Sequence, residues 1–336
     1  STPGYYGLPV PAEQFAGSLF GLNPGTSYEV RISITDPDGG DRVQIVAATT
    51  RDLPLTNPAV PRTVAVSTDA ELSNAIGAAL PGDVIELAAG TYDGPITIDA
   101  SGTLSNPIIV RGEAADAVTI DAAGGTYGVT IWGSHVYLED VTVSGSTWGA
   151  RSYNTDGIVI QRSRFINVER GIYAKSGSNY NFYICDNVLE GKHAWPNISS
   201  STWNDEGITV SGQGHTVCHN TLSGFGDALG LANSTAIMNL AIDFYGNDVV
   251  WTGDDGLELD FAHRNVRAFG NRITNANMGA SLQPVWGGPV YIFNNLFLNM
   301  ASSPYKLNND PSGFFILHNT SARSERAGSN YGGHAW

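Results

Sequence analysis

The amino-acid sequence predicts an all-β chain folded as a right-handed parallel β-helix, a solenoid of stacked coils. Charged residues make up only 15% of its 336 residues, and it contains 40 glycines. Such a composition is typical of short strands joined by tight turns. A polar position recurs about every two dozen residues, and a glycine-centred motif recurs between its members. Self-similarity at this period is typical of solenoids.

The first repeat is a polar position that usually follows a strand of alternating polarity. Its members are Asp140, Ser163, Asn187, Asn220, Asn247, Asn271, Asn295 and Asn319, at spacings of 23, 24, 33, 27, 24, 24 and 24 residues. Asparagine tolerates left-handed backbone, and stacked side-chain amides can hydrogen-bond along an axis. The sequence therefore predicts an asparagine ladder with a structural role.

The second repeat sets which side chains share an outer face. The residue after its glycine is expected to point inward and the next outward, because side chains alternate along a strand. Outward positions then stack as Arg151, Tyr173, Thr209, Gly230, Glu258, Ser281 and Lys306. Two residues further on they stack as Tyr153, Lys175, Ser211, Ala232, Asp260, Gln283 and Asn308. The insertion at 193–203 accounts for the 33-residue spacing and is expected to overhang this face.

The N-terminal part reads differently from the repeats. Residues 1–51 resemble part of a fibronectin type III domain, since the segment Leu22–Tyr28 is similar to its tyrosine corner. Prolines mark residues 52–62 as a stiff linker, and residues 63–336 form the predicted solenoid. Thr68 and Glu71 have capping-box spacing, followed by Leu72, Ile76 and Leu80, which predicts a short helix that caps the first coil.

The opening coils also resemble a known group of β-helix enzymes. Residues 81–92 (PGDVIELAAGTY) and 106–112 (NPIIVRG) are similar to the alginate lyase and chondroitinase B group of polysaccharide lyases. In that group a Glu-x-Glu pair and an asparagine of the preceding coil bind calcium, while a lysine and an arginine act as base and acid. Here Glu258-Leu-Asp260 is similar to the carboxylate pair, and the lysine expected shortly after it is absent.

These patterns predict a catalytic and metal-binding site on the outer face. Asp254, Asp255, Glu258 and Asp260 form the densest acidic cluster, and hard oxygen ligands suit calcium. The predicted metal ligands are Glu258, Asp260, Asp227 and Asp255, with Glu206 able to add charge. The predicted catalytic residues are Lys306, Arg264 and His263, the last two in a loop leaving the acidic strand. The predicted substrate-binding residues are Tyr173, Lys175, Trp203, Gln283 and Trp286.

Each candidate also has a plain structural interpretation. Glu206, Asp227 and Asp255 can simply occupy the turn before a strand, where short polar residues are favoured. Tryptophans often cover the ends of a core. Cys185 and Cys218 are expected at equivalent positions of consecutive coils, as stacked buried thiols in preference to a disulfide.

Charge and hydropathy narrow the classes of function. The net charge of −15 argues against nucleic acid, and no apolar run approaches the roughly 18 residues of a membrane span. The resemblance favours a secreted or cell-surface polysaccharide lyase that cleaves an acidic, uronate-containing glycan with the help of Ca²⁺. A glycoside hydrolase with paired carboxylates is the second hypothesis. A non-catalytic protein that binds glycan, or that self-associates through coil ends or the incomplete N-terminal module, is the third.

Overall fold

A computed structural model describes residues 17–194, 205–232 and 238–323, except for the side chain of Trp286. The chain divides into two compact units, of which the smaller spans Gly17–Thr56. That unit contains the antiparallel pair β1 (Ser27–Ile34) and β2 (Arg42–Thr49). Inside it, the Tyr28 hydroxyl accepts a hydrogen bond from the backbone N–H of Asn23 at 2.8 Å.

The larger unit is a parallel β-solenoid with a single short helix among its described residues, which confirms the predicted fold class. Its elements, in chain order, are β3 (Arg62–Val66), α1 (Asp69–Gly77), β4 (Asp83–Leu87), β5 (Gly90–Asp93), β6 (Ile96–Ile98), β7 (Ile108–Gly112), β8 (Val118–Ile131), β9 (Val136–Glu139), β10 (Thr142–Ser152), β11 (Val159–Gln161), β12 (Arg164–Val168), β13 (Arg170–Ala174), β14 (Tyr183–Cys185), β15 (Val188–Gly191), β16 (Glu206–Val210), β17 (Thr216–Cys218), β18 (Thr221–Phe225), β19 (Asp227–Leu231), β20 (Asn239–Tyr245), β21 (Asp248–Glu258), β22 (Ala262–Phe269), β23 (Arg272–Ser281), β24 (Trp286–Phe293), β25 (Leu296–Leu298), β26 (Ser303–Lys306), β27 (Ser312–Leu317) and β28 (Thr320–Ala322).

The strands form two parallel sheets around one apolar core. An 11-stranded sheet runs from β27 through β14 to β3, and the other strands of the solenoid belong to a 15-stranded sheet. In that second sheet the long strands β8, β10, β21 and β23 each pair with two strands of a neighbouring coil. The sheet is therefore divided into two arms: the first half of each long strand pairs within one arm, and the second half pairs within the other. We call the arm made of β13, β16, β19, β26 and the second halves of β10, β21 and β23 the site face.

Side-chain amides stack along the solenoid axis inside the turn before β15, β18, β21, β23, β25 and β28. Asn220 Nδ2 donates to Asn247 Oδ1 of the next coil at 3.0 Å and to the backbone carbonyl of Ile184 at 2.9 Å. Its Oδ1 accepts from Nδ2 and N–H of Asn187. The same pattern continues through Asn271, Asn295 and Asn319. The buried amides are thus satisfied in both directions, as their desolvation requires.

Two details of this stack differ from the sequence prediction. Asp140 lies one residue before the repeated position, which is held by Val141, whose N–H donates to Ser163 Oγ at 3.3 Å. Asp140 instead pairs with Arg162. The left-handed conformation also belongs to the residue before each ladder position, for example Gly246 with φ of 65° and Asp186 with φ of 61°. The ladder asparagines are therefore selected for their amide groups and not for their backbone.

The single described helix, α1, begins as the capping box predicts. Thr68 Oγ1 accepts from the N–H of Glu71 at 3.3 Å, and Glu71 Oε2 accepts from the N–H of Ser67 at 2.8 Å. Leu72 and Ile76 are buried against the first coil, but Leu80 follows the helix and is exposed. No helix among the described residues is long and apolar enough to span a membrane.

Cys185 and Cys218 are joined by a disulfide, with a Cα–Cα distance of 4.6 Å. The expectation of two stacked free thiols is therefore wrong, although the expected positions are correct, because Cys185 pairs with Cys218 in register between β14 and β17. In-register Cα atoms of adjacent coils lie within the range that a disulfide spans.

Candidate active site

The register of the site face follows the second sequence repeat. Successive Cα partners run from Arg151 through Tyr173, Thr209, Gly230, Glu258 and Ser281 to Lys306. The residues before them on these strands, among them Ile172, Ile208 and Leu229, are buried in the core. The outward column predicted from the sequence is therefore the observed one.

Three acidic residues, Glu206, Asp227 and Asp255, occupy one position on successive coils of this face. Glu206 pairs with Asp227 in register, and the N–H of Asp255 donates to Asp227 Oδ1 at 3.1 Å. Their exposed fractions are 4%, 7% and 1%. Carboxylates in a turn would be solvated, so the interpretation of these residues as ordinary turn formers does not account for their burial.

The acidic residues converge closely enough to share an ion. Ligand oxygens of Asp227, Asp254 and Asp255 all lie within 4.8 Å of one another, so that these three residues could hold a metal. Glu258 approaches from the outward column, where a methyl group on Gly230 would lie 3.2 Å from Glu258 Oε2. The absence of a side chain at Gly230 thus lets the Glu258 carboxylate lie over β19, towards the coil that carries Asp227.

Lysines approach the acidic residues from both sides along the axis. Lys175, just after β13, places Nζ 2.6 Å from Glu206 Oε1. Lys306, at the end of β26, places Nζ 3.1 Å from Asp255 Oδ2. Both lysines are half-buried, and Lys306 reaches back across the intervening coil of β23. We call these two lysines together with Glu206, Asp227, Asp254, Asp255 and Glu258 the acid–lysine cluster.

Burial and mutual repulsion make three of the acidic members, Asp227, Asp255 and Glu258, hold their protons strongly. Burial raises the pKa of Asp255 to about 7, with the charge of Asp254 adding to the effect and Lys306 opposing it. Burial, together with neighbouring carboxylates, also raises the pKa values of Asp227 and Glu258 well above the usual range. For Lys306 the two influences oppose each other. Burial lowers its pKa, but the charges of Asp255 and Asp254 outweigh burial, so that the pKa is raised.

Three carboxylate oxygens of the cluster are shielded from solvent and have no hydrogen-bond partner among the described residues. They are Glu206 Oε2, Asp255 Oδ1 and Glu258 Oε2. Leaving a buried acceptor unsatisfied costs about 1–3 kcal/mol, and more when it is charged. Oxygen-rich, anionic and under-satisfied sites are the kind that hard divalent cations occupy. The donor set present therefore fits a divalent cation.

Asp260, a predicted metal ligand, is placed differently. Its Oδ1 accepts from Ser281 Oγ and from the N–H of Gln283, both at 2.7 Å. Burial still raises its pKa to about 6. Gln283 in turn accepts from Asn308 Nδ2 at 2.9 Å. The carboxylate of Asp260 thus braces the chain after β23, and the three residues that the metal-site geometry brings together do not include it.

His263 and Arg264 lie on β22, in the 11-stranded sheet and not in a loop as expected from the sequence. His263 Nδ1 accepts from the backbone N–H of Asn239 at 3.2 Å, and burial lowers the pKa of its ring to about 4. His215 accepts from the N–H of Phe182 in the same way. The structure therefore gives His263 a bracing role in the 11-stranded sheet, whereas it brings Lys306 directly onto the carboxylates.

Of the three aromatic residues predicted to bind substrate, the structure describes the side chain of one, Tyr173. Tyr173 is half-buried and packs on Trp148 with ring centroids 4.6 Å apart, and burial raises the pKa of its hydroxyl. Trp203 lies outside the described residues, as does the side chain of Trp286. Most of the insertion at 193–203 also falls outside them.

His193 is the contributor to this region that the sequence did not single out. Its ring is buried against Gly253, directly before Asp254, and its Nδ1 lies 3.4 Å from Asp205 Oδ2. The signal available in the sequence was its place at the start of the insertion. Glu206 and Asp254 were recognised as acidic neighbours but not as members of the predicted ligand set.

Comparison with known proteins supports the fold. No family model matches the sequence, and no curated protein is significantly similar to it. The chain is similar to the alginate lyase from Paenibacillus sp. str. FPU-7, with a TM-score of 0.57 and 19% identity over 81% of this chain and 98% of that one. Pectate lyase Pel9A gives a TM-score of 0.51 and 17% identity over 82% and 74% of the two chains. The GH136 lacto-N-biosidase from Eubacterium ramulus gives 0.46 and 10% over 78% and 68%.

The chain is thus a parallel β-solenoid similar in fold to two polysaccharide lyases. At these identities the likeness concerns the fold, and the same fold can carry unrelated chemistry.

Proposed function

We propose that this protein is a polysaccharide lyase that cleaves an acidic, uronate-containing glycan by β-elimination at the acid–lysine cluster. The observation that carries the proposal is the entry of Lys175 and Lys306 into a group of buried carboxylates from opposite sides. A uronate needs positive charge to bind and a proton-exchanging group at the reacting carbon, and the lysines offer both.

The reaction requires three changes at the substrate. A base removes the proton from the carbon next to the carboxylate, the electron pair forms a carbon–carbon double bond, and the glycosidic oxygen leaves and takes up a proton. Lys306 is the proposed proton-exchanging residue, and Lys175 is the proposed partner of the uronate carboxylate. Tyr173, which pairs in register with Thr209 of the next coil on the same face, is a proposed contact of the sugar ring.

A divalent cation, proposed to be Ca²⁺, fits Asp227, Asp254 and Asp255, with Glu258 beside them. When bound, it would neutralise the uronate carboxylate and acidify the neighbouring proton. Engagement of the Asp255 carboxylate away from Lys306 removes a main influence that raises the pKa of Lys306. A larger fraction of Lys306 would then be neutral at a given pH and available to act as a base.

The test is an assay of alginate, polygalacturonate and neutral mannan with Ca²⁺ or with EDTA. Ultraviolet absorbance reports unsaturated ends, and a reducing-sugar assay reports all cleavage. We expect unsaturated ends from an acidic glycan only, and a loss of at least about 100-fold in kcat for Lys306→Ala. Glu258→Ala is expected to lose activity as well. Lys192→Ala, which removes an exposed lysine paired with Glu169, is the matched control and should remain active. Full activity of the Lys306 or Glu258 variant would refute the site.

One observation favours a second candidate, a glycoside hydrolase. Hydrolysis of a glycosidic bond needs a protonated carboxyl group beside an ionised one, and Asp255, whose pKa burial raises to about 7, lies next to Asp227 and Asp254. The same assay separates the two, because hydrolysis yields reducing ends without ultraviolet absorbance. Binding without either signal would favour a non-catalytic glycan-binding or self-associating protein.

We also propose that the protein is secreted and that residues 1–51, described from residue 17 onward, belong to a fibronectin type III-like module. The disulfide supports the first, since disulfides persist in oxidising compartments. The antiparallel pair β1–β2 and the hydrogen bond of the Tyr28 hydroxyl to the backbone of Asn23 support the second.

A further inference from the structure

Aromatic rings and guanidinium groups cover the coils that precede the acid–lysine cluster on the same face. They come from the ends of β8 and β10, from the turns after them and from the start of β13. We call this set the aromatic–arginine surface; it consists of Tyr127, Trp132, Trp148, Arg151, Tyr153 and Arg170.

The residues of this surface lie in register with those of the acid–lysine cluster on successive coils. Trp148 pairs in register with Arg170, which pairs with Glu206 of the cluster. Arg151 pairs with Tyr173, at the head of the column that leads to Glu258. Arg151 and Glu258 are four coil steps apart, or about 19 Å at the usual spacing of neighbouring strands. A polymer lying along the axis would therefore contact both.

The guanidinium group of Arg151 is held in place by its neighbours. Its Cζ lies 3.3 Å from the centroid of the Tyr127 ring, and its Nε donates to Thr130 Oγ1 at 3.1 Å. Trp132 and Tyr153 lie on its further sides, with centroids 5.4 and 5.9 Å away. Such fixation lowers the entropy that a bidentate contact to a carboxylate would otherwise cost.

Arg151 also lacks the acidic partner that most other described arginines of the solenoid have. Among the described residues, six arginines of the solenoid face a carboxylate, namely Arg62, Arg111, Arg162, Arg164, Arg267 and Arg272. No carboxylate of the described residues pairs with Arg151. A half-buried cation held by rings and facing no acid is complementary to an anionic ligand.

The rings beside it suit a sugar. Trp132 is 43% exposed, and an exposed indole offers a flat apolar surface for the C–H face of a pyranose ring. Carboxylate recognition by Arg151 and ring stacking on Trp132 together match one chemical unit that has both features, a uronic acid residue.

We propose that the aromatic–arginine surface binds a uronate unit of the polysaccharide several sugars from the bond that is cleaved. This rests on the proposed function in taking an acidic glycan as the ligand. The consequence is an extended binding site that favours polymers over short oligosaccharides, since only a chain that spans both regions gains the second contact.

The test is direct binding of alginate and polygalacturonate, with neutral mannan for comparison, measured by calorimetry. A Lys306→Ala background prevents cleavage during titration. We expect Arg151→Gln to weaken binding of the acidic polymer by at least about tenfold and to leave neutral mannan unchanged. Arg272→Gln, which removes an equal charge from a paired arginine on another arm, is the matched control and should bind normally.

Folding and catalysis are separated from binding by two further measurements. Trp132→Ala truncates an exposed ring and should also weaken binding, with an unchanged thermal unfolding midpoint. In otherwise wild-type enzyme, Arg151→Gln should raise KM for the polymer while kcat and the rate on the shortest cleaved oligosaccharide stay the same.

The outcomes distinguish this inference from the lyase proposal. If an acidic polymer is bound through Arg151 but no glycan is cleaved, the surface stands and the lyase proposal fails. If an acidic glycan is cleaved and Arg151→Gln behaves as wild type, the surface is refuted and the lyase proposal stands. Absence of binding to either acidic polymer also overturns the inference.

Discussion

Asp255 shows how a single side chain is constrained at this site. It is 1% exposed, its backbone N–H donates to Asp227, one carboxylate oxygen faces Lys306 and the other has no partner among the described residues. An aspartate so placed is not optimised for stability, because desolvation of its charge is only partly offset. Residues of this kind are found where function requires them.

The raised pKa of Asp255 predicts the pH dependence of stability in the metal-free protein. The folded-state pKa of about 7 exceeds the unfolded value of about 3.9, so the folded protein binds more protons between these values. The free energy of unfolding should therefore fall as pH rises from about 4 to 7, by a few kcal/mol. Asp260, at about 6, acts in the same direction.

Thermal unfolding in EDTA across this pH range checks the prediction. Asp255→Asn should flatten the curve and be more stable than wild type at pH 8. Asp248→Asn changes the other end of the same strand, where the carboxylate is paired with the exposed Arg272, and serves as the control. Parallel curves for wild type and Asp255→Asn would contradict the argument.

At the scale of elements, the asparagine stack fixes the register in which coils superpose. Each internal amide donates to the next coil and to a carbonyl and accepts from the preceding coil, so one substitution removes several bonds at once. Because the amides are buried, water does not replace the lost partners.

Asn247→Ala is expected to lower the free energy of unfolding by about 2–4 kcal/mol, since the Val217 carbonyl, Asn220 Nδ2 and Asn271 Oδ1 lose a partner. Urea denaturation measures this. Asn308→Ala removes one exposed hydrogen bond and should cost less than about 0.5 kcal/mol. A cost for Asn247→Ala as small as that of Asn308→Ala would show that the stack does not stabilise the fold.

Much of this organisation could be predicted from sequence because it is periodic. The register from Arg151 to Lys306 follows from a glycine-centred motif, and the stacked amides from the spacing of asparagines. The predictions that the structure corrects concern single residues, which no repeat constrains. The polarity of Asp140 predicts a ladder position that Val141 holds instead. The place of His263 just after the acidic strand predicts a loop, although β22 already begins at Ala262. The disulfide was discounted because parallel side chains suggest separated sulfurs, whereas rotation about the Cα–Cβ bonds brings them together.

At the scale of the whole molecule, the site concentrates negative charge on a chain that already carries −15. The carboxylates of the acid–lysine cluster exceed its lysines, and the excess is buried. A ligand that binds the folded state alone stabilises it in proportion to the logarithm of its concentration over Kd. The divalent cation proposed for Asp227, Asp254 and Asp255 would be such a ligand.

Calcium at about 100 times its Kd should therefore stabilise the folded protein by about 2.7 kcal/mol, seen as a raised thermal unfolding midpoint at pH 8. Asp227→Asn and Asp254→Asn should abolish most of this increase, while Asp248→Asn should retain it. Addition of EDTA should reverse it. An increase of equal size in all variants would assign the effect to general screening of surface charge.

The disulfide has a consequence for how this protein can vary. Cys185 and Cys218 are 33 residues apart and occupy one position of adjacent coils, so the bond closes a complete coil into a covalent ring. That ring is the coil with the longest spacing between ladder asparagines, and it contains the insertion that leads to Glu206. Residues added to or removed from the insertion change the circumference of the ring without changing where its two ends meet. The disulfide thus ties the register of β14 and β17 to a covalent bond that does not depend on the length of the insertion.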